Sequence, residues 1–235
     1  MFAFKLLDNL IQHCPMAALA PYAPQIFNLL LVRMQEERTP RFCKMFIHSM
    51  CLYAAVDAAF VYRTVEAIEA GLLRTLVTKV WAQHGGHCAG GERAEVGRML
   101  VGATKLLTAT DAANQADVWG AALKFALALM SAARQQEALL SRDLLVADED
   151  AAAAEAREFD STYSRLAYAQ FPDLAEGVAG GVDVASAPQF FASSLEALCR
   201  SRPGQYGPVL AQVLDAAEAD VLKSALAACG ISGLL

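Results

Sequence analysis

The sequence TPRFCKMFIHSMCLYAAV, residues 39–56, decides the fold class. Apolar residues recur in it at three- and four-residue spacing, at Phe42, Met45, Phe46, Leu52, Tyr53 and Val56, with the small Ser49 as the one gap. This spacing predicts one continuous face of an α-helix. Thr39 is the predicted N-cap, and Pro40 suits the first helical position, where its missing N–H costs nothing. Ile47 and Met50 lie off this face, so the predicted helix is apolar on more than one side.

The same helical periodicity continues in both directions along the chain. We find no sustained period-two alternation bounded by hairpin turns, which would predict β-strands. The sequence therefore predicts an all-α protein. The further predicted helices cover residues 2–13, 24–36, 58–70, 72–83, 92–108, 115–140, 188–200 and 208–228.

Many of these predicted helices are apolar over more than one narrow stripe and are joined by short connections. Such helices bury two sides against neighbours, as the stacked hairpins of a repeat protein do. Repeats of the HEAT type take about 40–47 residues per hairpin, so the chain has room for about five. We predict a HEAT-like helical-repeat solenoid, with a compact helical bundle as the alternative.

Composition excludes several classes of protein. The chain has 235 residues, of which 56% are hydrophobic, and a formal charge of −6, which disfavours nucleic acid as the main partner. The longest uncharged run, residues 9–32, contains three prolines that would break a membrane-spanning helix. Asp8 interrupts the apolar core that a secretory signal needs. Six scattered cysteines are typical of a reducing compartment and predict a cytosolic or nuclear location.

Charge and glycine content divide the chain into three predicted parts. Residues 1–140 read as helical repeats and residues 161–235 as terminal helical repeats. Between them, residues 141–160 carry seven acidic residues and two arginines, which predicts an exposed acidic insert or loop. A glycine-containing linker is predicted near residues 173–187.

The densest set of potential metal ligands is His84, His87 and Cys88. The ligand number and spacing do not meet the requirements of a zinc site, so we predict no metal and no cofactor. The sequence also lacks the nucleophile-elbow, phosphate-loop and zinc-protease motifs. An enzyme is therefore not predicted, and an enzyme or metal protein that uses His84, His87 and Cys88 is the alternative.

Positive residues cluster around the turn before residue 40. They are Arg33, Arg38, Arg41, Lys44 and His48. Three of them, Arg41, Lys44 and His48, are spaced by three and four and share one helix face. We predict that this cluster is a docking face for an acidic protein partner, and an ordinary solvated helix face is the alternative.

Three stretches together resemble a known family. They are residues 2–53, beginning FAFKLLDNLIQHCP; residues 101–123, VGATKLLTATDAANQADVWGAAL; and residues 188–214, PQFFASSLEALCRSRPGQYGPVLAQVL. With an acidic segment and the Tyr163–Ala169 segment between the last two, they resemble the carboxy-terminal domain of the exportin-2 family. These are CAS-type export receptors of the importin-β superfamily. The SRPGQYGPVL element is the most specific piece, and the order of all three stretches carries the resemblance.

The resemblance implies a HEAT-repeat solenoid that returns importin-α from nucleus to cytoplasm in a complex with RanGTP, without catalysis. It implies shuttling between the two compartments and transient nuclear-pore contacts, without membrane insertion. Family members are several times longer, with their principal Ran-binding repeats near the amino terminus. We therefore expect a fragment of a longer receptor, which alone binds RanGTP weakly or not at all. The alternative is a helical-repeat scaffold or regulatory subunit unrelated to nuclear transport.

Overall fold

The computed structural model describes residues 2–36, 39–154 and 178–231, with side chains described in these ranges except at residue 2 and residues 136–154. The described α-helices are α1 (Phe2–His13), α2 (Met16–Leu19), α3 (Ala23–Glu36), α4 (Pro40–Ile68), α5 (Leu72–Thr75), α6 (Ala82–Ala89), α7 (Arg93–Ala109), α8 (Ala116–Ala154), α9 (Ala187–Ser201), α10 (Tyr206–Val213) and α11 (Ala216–Ala228). A π-helical segment, Leu76–Trp81, joins α5 to α6, and 3₁₀ turns cover Asp111–Asn114 and Val184–Ser186. Strands β1 (Val178–Ala179) and β2 (Val182–Asp183) form an antiparallel hairpin.

The helices stack as successive pairs, which confirms the all-α helical-repeat prediction. Helices α1, α4, α7 and α9 pack each on the next and form one layer of the stack. Helices α6, α8 and α11 pack in the same order and form the second layer. Helix α3 also packs on α4. Successive helices of each layer thus bury apolar faces against one another within the described residues.

Helix α4 begins as its sequence predicts. The Thr39 hydroxyl accepts a hydrogen bond from the Phe42 N–H at 3.2 Å, and Pro40 is the first helical residue. The helix is broken once, at Asp57, whose φ of −147° and ψ of 94° are not helical. The Asp57 carboxylate caps the second half by accepting from the Phe60 N–H at 2.8 Å. The two helices predicted on either side of residue 57 are therefore the halves of α4.

Two predicted boundaries are wrong. The helix predicted to end at residue 83 continues further, and residues 84–88 lie inside helix α6. The predicted helix over residues 208–228 is two helices, α10 and α11. Their boundary is a capping box, in which Asp215 accepts from the Glu218 N–H at 2.8 Å and Glu218 accepts from the Asp215 N–H at 3.0 Å. The capping-box pattern was present in the sequence but lay within a continuous helical periodicity.

Two described helices are long and apolar enough to cross a membrane by length and composition alone. They are Pro40–Ile68 and the Ala116–Gln135 part of α8, with 67% and 56% of their most apolar windows buried inside the protein. Trp119, on α8, is buried and contacts Tyr206. Trp81, at the end of the π-helical segment, is buried and contacts Phe125 of α8. Packing against neighbouring helices thus accounts for the apolar character of both helices.

The predicted acidic insert and linker fall partly outside the described residues. The backbone of residues 141–154 continues helix α8 and is not a loop, while residues 155–160 lie outside the description. Of the predicted linker, residues 173–177 are not described. Residues 178–187, which we call the strap, comprise the β-hairpin, the 3₁₀ turn and the first residue of α9. Ala179, Val184 and Ala187 of the strap are buried. This part of the linker is therefore packed, contrary to the expectation of a loose connection.

Lys105 joins the strap to the helices beneath it. Its Nζ donates to the carbonyl oxygens of Ala55, on α4, at 2.5 Å and of Gly180, in the hairpin turn, at 2.9 Å. The Ala55 carbonyl lies two residues before the break at Asp57. One ammonium thus connects α4, α7 and the strap. Burial lowers the pKa of Lys105 below its ordinary value.

Candidate protein-binding surface

The structure brings part of the predicted basic cluster into one groove. The groove has a volume of about 200 Å³ and lies where α1, α4 and the start of α7 meet. It is lined by Phe4, Lys5, Asp8, Arg41, Lys44, Met45, His48 and Glu95. Phe4 of the lining also makes a T-shaped ring contact with Phe42 of α4, with centroids 5.3 Å apart. This contact packs α1 on α4.

His48 faces helix α1 and is not part of an exposed docking face. Its side chain is 9% exposed, and its Nδ1 atom lies 3.1 Å from Oδ2 of Asp8. The hydroxyl of the neighbouring Ser49 donates to the other oxygen of Asp8 at 2.5 Å. A single α1 carboxylate therefore contacts two polar side chains of α4, through its two oxygens. Helical spacing placed His48 correctly on its helix face, but α1 covers that part of the face.

Lys44 faces the other neighbour of α4. Its Nζ lies 2.8 Å from Oε2 of Glu95, on α7, and both side chains are about one quarter to one third exposed, at 26% and 33%. Burial raises the pKa of Glu95, but the hydrogen bond and charge of Lys44 and the charge of His48 lower it more. The net pKa of Glu95 is therefore below its ordinary value. Asp8, Lys44, His48 and Glu95 together form a polar seam that connects α1, α4 and α7.

Replacing Glu95 by glutamine is expected to lower the free energy of unfolding by about 0.5–1 kcal/mol at pH 7. Because the folded-state pKa of Glu95 is lowered, this contribution is fully present above the ordinary pKa of 4.5 and is lost as pH falls through the lowered value. Urea unfolding of the wild type and Glu95→Gln at pH 7, 5 and 3.5 measures it. The control is Asp220→Asn, since the Asp220 side chain is 78% exposed. A Glu95→Gln effect that grows with acidification would contradict the assignment.

Arg33 and Arg41 are the described members of the cluster that lie on the outer surface. Arg33 is exposed on α3 and forms an ion pair with Glu36, one turn along, at 3.1 Å. Arg41 is exposed at the start of α4. It lines the groove together with Lys5 of α1, which is also exposed. Arg38 lies outside the described residues. Of the described residues in the cluster and the groove, the exposed positive ones are therefore Arg33 and Arg41, near the α3–α4 turn, and Lys5, on α1.

The structure thus gathers Arg41, Lys44 and His48 in one groove, while Arg33 is not part of its lining. Sequence reasoning missed the three charged residues of other helices that line the groove, Lys5, Asp8 and Glu95. No local pattern could have found them, because the contacts join residues about 40 and 50 positions apart in the chain.

The alternative metal ligands His84, His87 and Cys88 share helix α6. The two imidazole rings are 6.0 Å apart between centroids, and His84 is buried, so burial and the charge of His87 lower the pKa of His84. Across residues 2–36, 39–154 and 178–231, no three His, Cys, Asp or Glu side chains are arranged to hold a metal ion.

Three buried thiols lie close to one another at the α4–α6 contact. Burial raises the pKa of Cys51 well above its ordinary value, and the nearby Cys88 raises it further. Burial likewise raises the pKa of Cys88 to about 12, with Lys44 opposing and Cys43 and Glu95 adding to the shift. Since the thiolate is the reactive form, the raised pKa values disfavour reaction of Cys51 and Cys88 at neutral pH.

Two of the family-like stretches meet in the structure. The Tyr206 ring packs on Trp119, with centroids 4.8 Å apart, and the Tyr206 hydroxyl donates to the Ala113 carbonyl at 3.2 Å. Arg202 donates to the Asn114 side chain at 2.5 Å. The SRPGQYGPVL element is therefore fixed on the turn between α7 and α8.

Comparison with known proteins gives consistent matches. The model of the family described as "CAS/CSE protein, C-terminus" matches residues 1–225. Exportin-2 of Drosophila melanogaster is 26% identical over 213 residues, which cover 88% of this chain and 21% of the relative. Human Exportin-2 is 29% identical over 106 residues, 45% of this chain and 11% of the relative, and Exportin-2 of Danio rerio is 31% identical over 78 residues, 33% of this chain and 8% of the relative. No solved structure gives a significant match.

Proposed function

The chain belongs to the CAS/CSE C-terminal family, and on that premise we propose that it is the C-terminal part of a nuclear export receptor that returns importin-α to the cytoplasm. Its curated relatives are exportin-2 proteins, so the chain is a member of a nuclear transport receptor family. The matched region covers 21% of the Drosophila relative, so this chain spans about a fifth of that protein's length. The family match over residues 1–225 is the observation that supports the proposal.

We propose that export proceeds through a complex with RanGTP, by binding alone. A solenoid of stacked helical pairs is open and curved, so two ligands that favour the same curvature strengthen each other's binding. GTP hydrolysis would then release importin-α in the cytoplasm, and the receptor would shuttle between nucleus and cytoplasm.

We propose that the exposed arginines Arg33 and Arg41, with Lys5 in the same groove as Arg41, contact an acidic segment of the partner. Charge complementarity of this kind accelerates association and selects partners. Arg38 belongs to the proposed surface by sequence position. Lys44 and His48 stabilise the helices that carry this surface. Lys44 pairs with Glu95 of α7, and His48 contacts Asp8 of α1.

The proposal is tested with a chimera in which this chain replaces the matched region of Drosophila Exportin-2. We expect the chimera to retain importin-α on a column when Ran is loaded with a GTP analogue and not when it is loaded with GDP. The isolated chain is expected to bind RanGTP weakly or not at all in a titration. Retention of importin-α regardless of the nucleotide would instead support a scaffold unrelated to transport, and tight RanGTP binding by the isolated chain would contradict the assignment of Ran contacts to other repeats.

The surface is tested by charge reversal in the same chimera. We expect the double variant Arg33→Glu and Arg41→Glu to weaken importin-α binding by about tenfold, equivalent to about 1.4 kcal/mol. Arg200→Glu is the matched control, because Arg200 is 77% exposed on α9, far along the chain from the α3–α4 turn. Equal weakening by the control variant would show a general charge effect.

A further inference from the structure

The groove that Arg41 and Lys44 line has apolar surface as well as positive charge. Phe4 belongs to its lining and is 7% exposed, and Met45, also in the lining, is half-buried. The aliphatic stems of the lysine and arginine side chains add further apolar surface. The groove has a volume of about 200 Å³, several times the roughly 30 Å³ that one water occupies in the liquid. It therefore has room for an apolar side chain.

The half-buried charges of the lining are paired within the protein. Lys44 lies 2.8 Å from Glu95, which joins α4 to α7. His48 lies 3.1 Å from Asp8, which joins α4 to α1. These contacts hold the three helices that form the groove in place before any partner binds. A groove formed in advance loses less conformational entropy on binding than one that must be ordered by its ligand.

The excess charge of the groove is positive and lies at its exposed positions. Three lysine and arginine side chains line the groove together with two carboxylates. Both carboxylates are in contact with side chains of α4, whereas Lys5 and Arg41 are exposed. These two residues belong to different helices, α1 and α4. A segment that approaches the groove therefore meets positive charge from two helices at the surface and apolar surface behind it.

We infer that the groove binds an acidic segment of a partner protein through one apolar side chain, of leucine or methionine size, that has acidic residues next to it in sequence. The apolar side chain contacts Phe4 and Met45, and the neighbouring carboxylates meet Lys5 and Arg41. This inference deepens the proposed docking surface and rests on it, because it names the kind of segment that the surface selects. Charge alone accepts any acidic segment, whereas the apolar contact adds selectivity for one residue of that segment.

The test titrates the isolated chain with two short fluorescent peptides of glutamates, one with a central leucine and one with a central alanine, and measures anisotropy. We expect the leucine peptide to bind at least about fivefold more tightly, because leucine buries more apolar area. Met45→Gln keeps the length of the side chain but makes it polar, so the preference for leucine should fall to about twofold or less. Lys5→Gln should instead weaken both peptides alike, by about threefold.

Lys223→Gln is the matched control for Lys5→Gln. Lys223 is 61% exposed on α11 and is not part of the groove lining, so both peptides should bind this variant as they bind the wild type. Thermal melts of all variants verify that they are folded.

Four results would overturn the inference. They are no binding of either peptide, equal affinity of the wild type for both peptides, an unchanged leucine preference in Met45→Gln, and equal weakening by the control variant. The peptides test the groove without importin-α or Ran, whereas the chimera tests binding of importin-α. Either experiment can therefore fail without the other, and the two failures are distinguishable.

Discussion

Replacing Gly102 by alanine is expected to destabilise the protein by about 3 kcal/mol, although alanine is the better helix former. Gly102 lies in α7 where that helix crosses α4. A Cβ atom there would overlap the carbonyl oxygen of Cys51 and lie 2.7 Å from the Cα atom of Cys51. Because these are backbone atoms, they cannot rotate away as a side chain would. The two helices must separate, and the buried contacts around Cys51 loosen with them.

The matched control for Gly102→Ala is Gly86→Ala. Gly86 also lies in a helix, α6, but a Cβ atom there has nothing within 4 Å. The control should therefore stabilise the protein by up to about 1 kcal/mol, through helix propensity alone. Chemical denaturation of both variants measures the two effects, which are expected to have opposite signs. Wild-type or greater stability of Gly102→Ala would mean that α4 and α7 are not in backbone contact at this position.

Replacing Gly180 by alanine is expected to cost about 2–3 kcal/mol and to detach the strap. Gly180 has a φ of +54°, in the left-handed region that disfavours residues with a Cβ atom. A Cβ atom at this position would also overlap the carbonyl oxygen of Ala55 and lie 2.9 Å from the Lys105 Nζ. The substitution therefore breaks the contact through which Lys105 holds the strap on α4. Hydrogen exchange should show lost protection across residues 178–187.

Gly181→Ala separates the two causes of this effect. Gly181 has a φ of +83°, but a Cβ atom there meets nothing within 4 Å. The Gly181→Ala substitution should lower the free energy of unfolding by about 1–2 kcal/mol, through backbone strain alone. It should leave the hydrogen-exchange protection of the strap largely intact. If Gly180→Ala and Gly181→Ala cost the same and expose the strap equally, the contact with Ala55 contributes nothing.

The positive charges on α4 show how far local sequence reasoning reaches. Arg41, Lys44 and His48 share a helix face, as their spacing predicts. The spacing does not reveal that Asp8 and Glu95 approach that face from helices on either side. Two of the three positive residues consequently hold the stack together, and the exposed charge remains at Arg41. The predicted docking face is therefore smaller than the sequence pattern suggested, and its role in binding stays a proposal.

The strap is the element that sequence reasoning described least well. Its glycines predicted a linker, since Gly180 and Gly181 favour turns and the two-residue strands are too short to show alternation. Gly180 is also needed for close packing, because only a residue without a side chain fits against Ala55 at that position. A glycine-rich segment is ambiguous in sequence for this reason. The contact that resolves the ambiguity joins residues 55, 105 and 180, which are distant in the chain.

The sequence by itself determined the helical class, the repeat architecture, the start of α4 at Thr39 and the family resemblance. These properties depend on periodicity over three or four residues, on capping and on the order of segments, all of which are local or linear. The tertiary structure alone decided which faces are covered. It decided that α1 and α7 cover His48 and Lys44 of α4, that the strap packs on α4 at Ala55, and that α1 and α3 each carry exposed apolar side chains. Coverage depends on contacts between residues far apart in the chain, and no local pattern encodes those contacts.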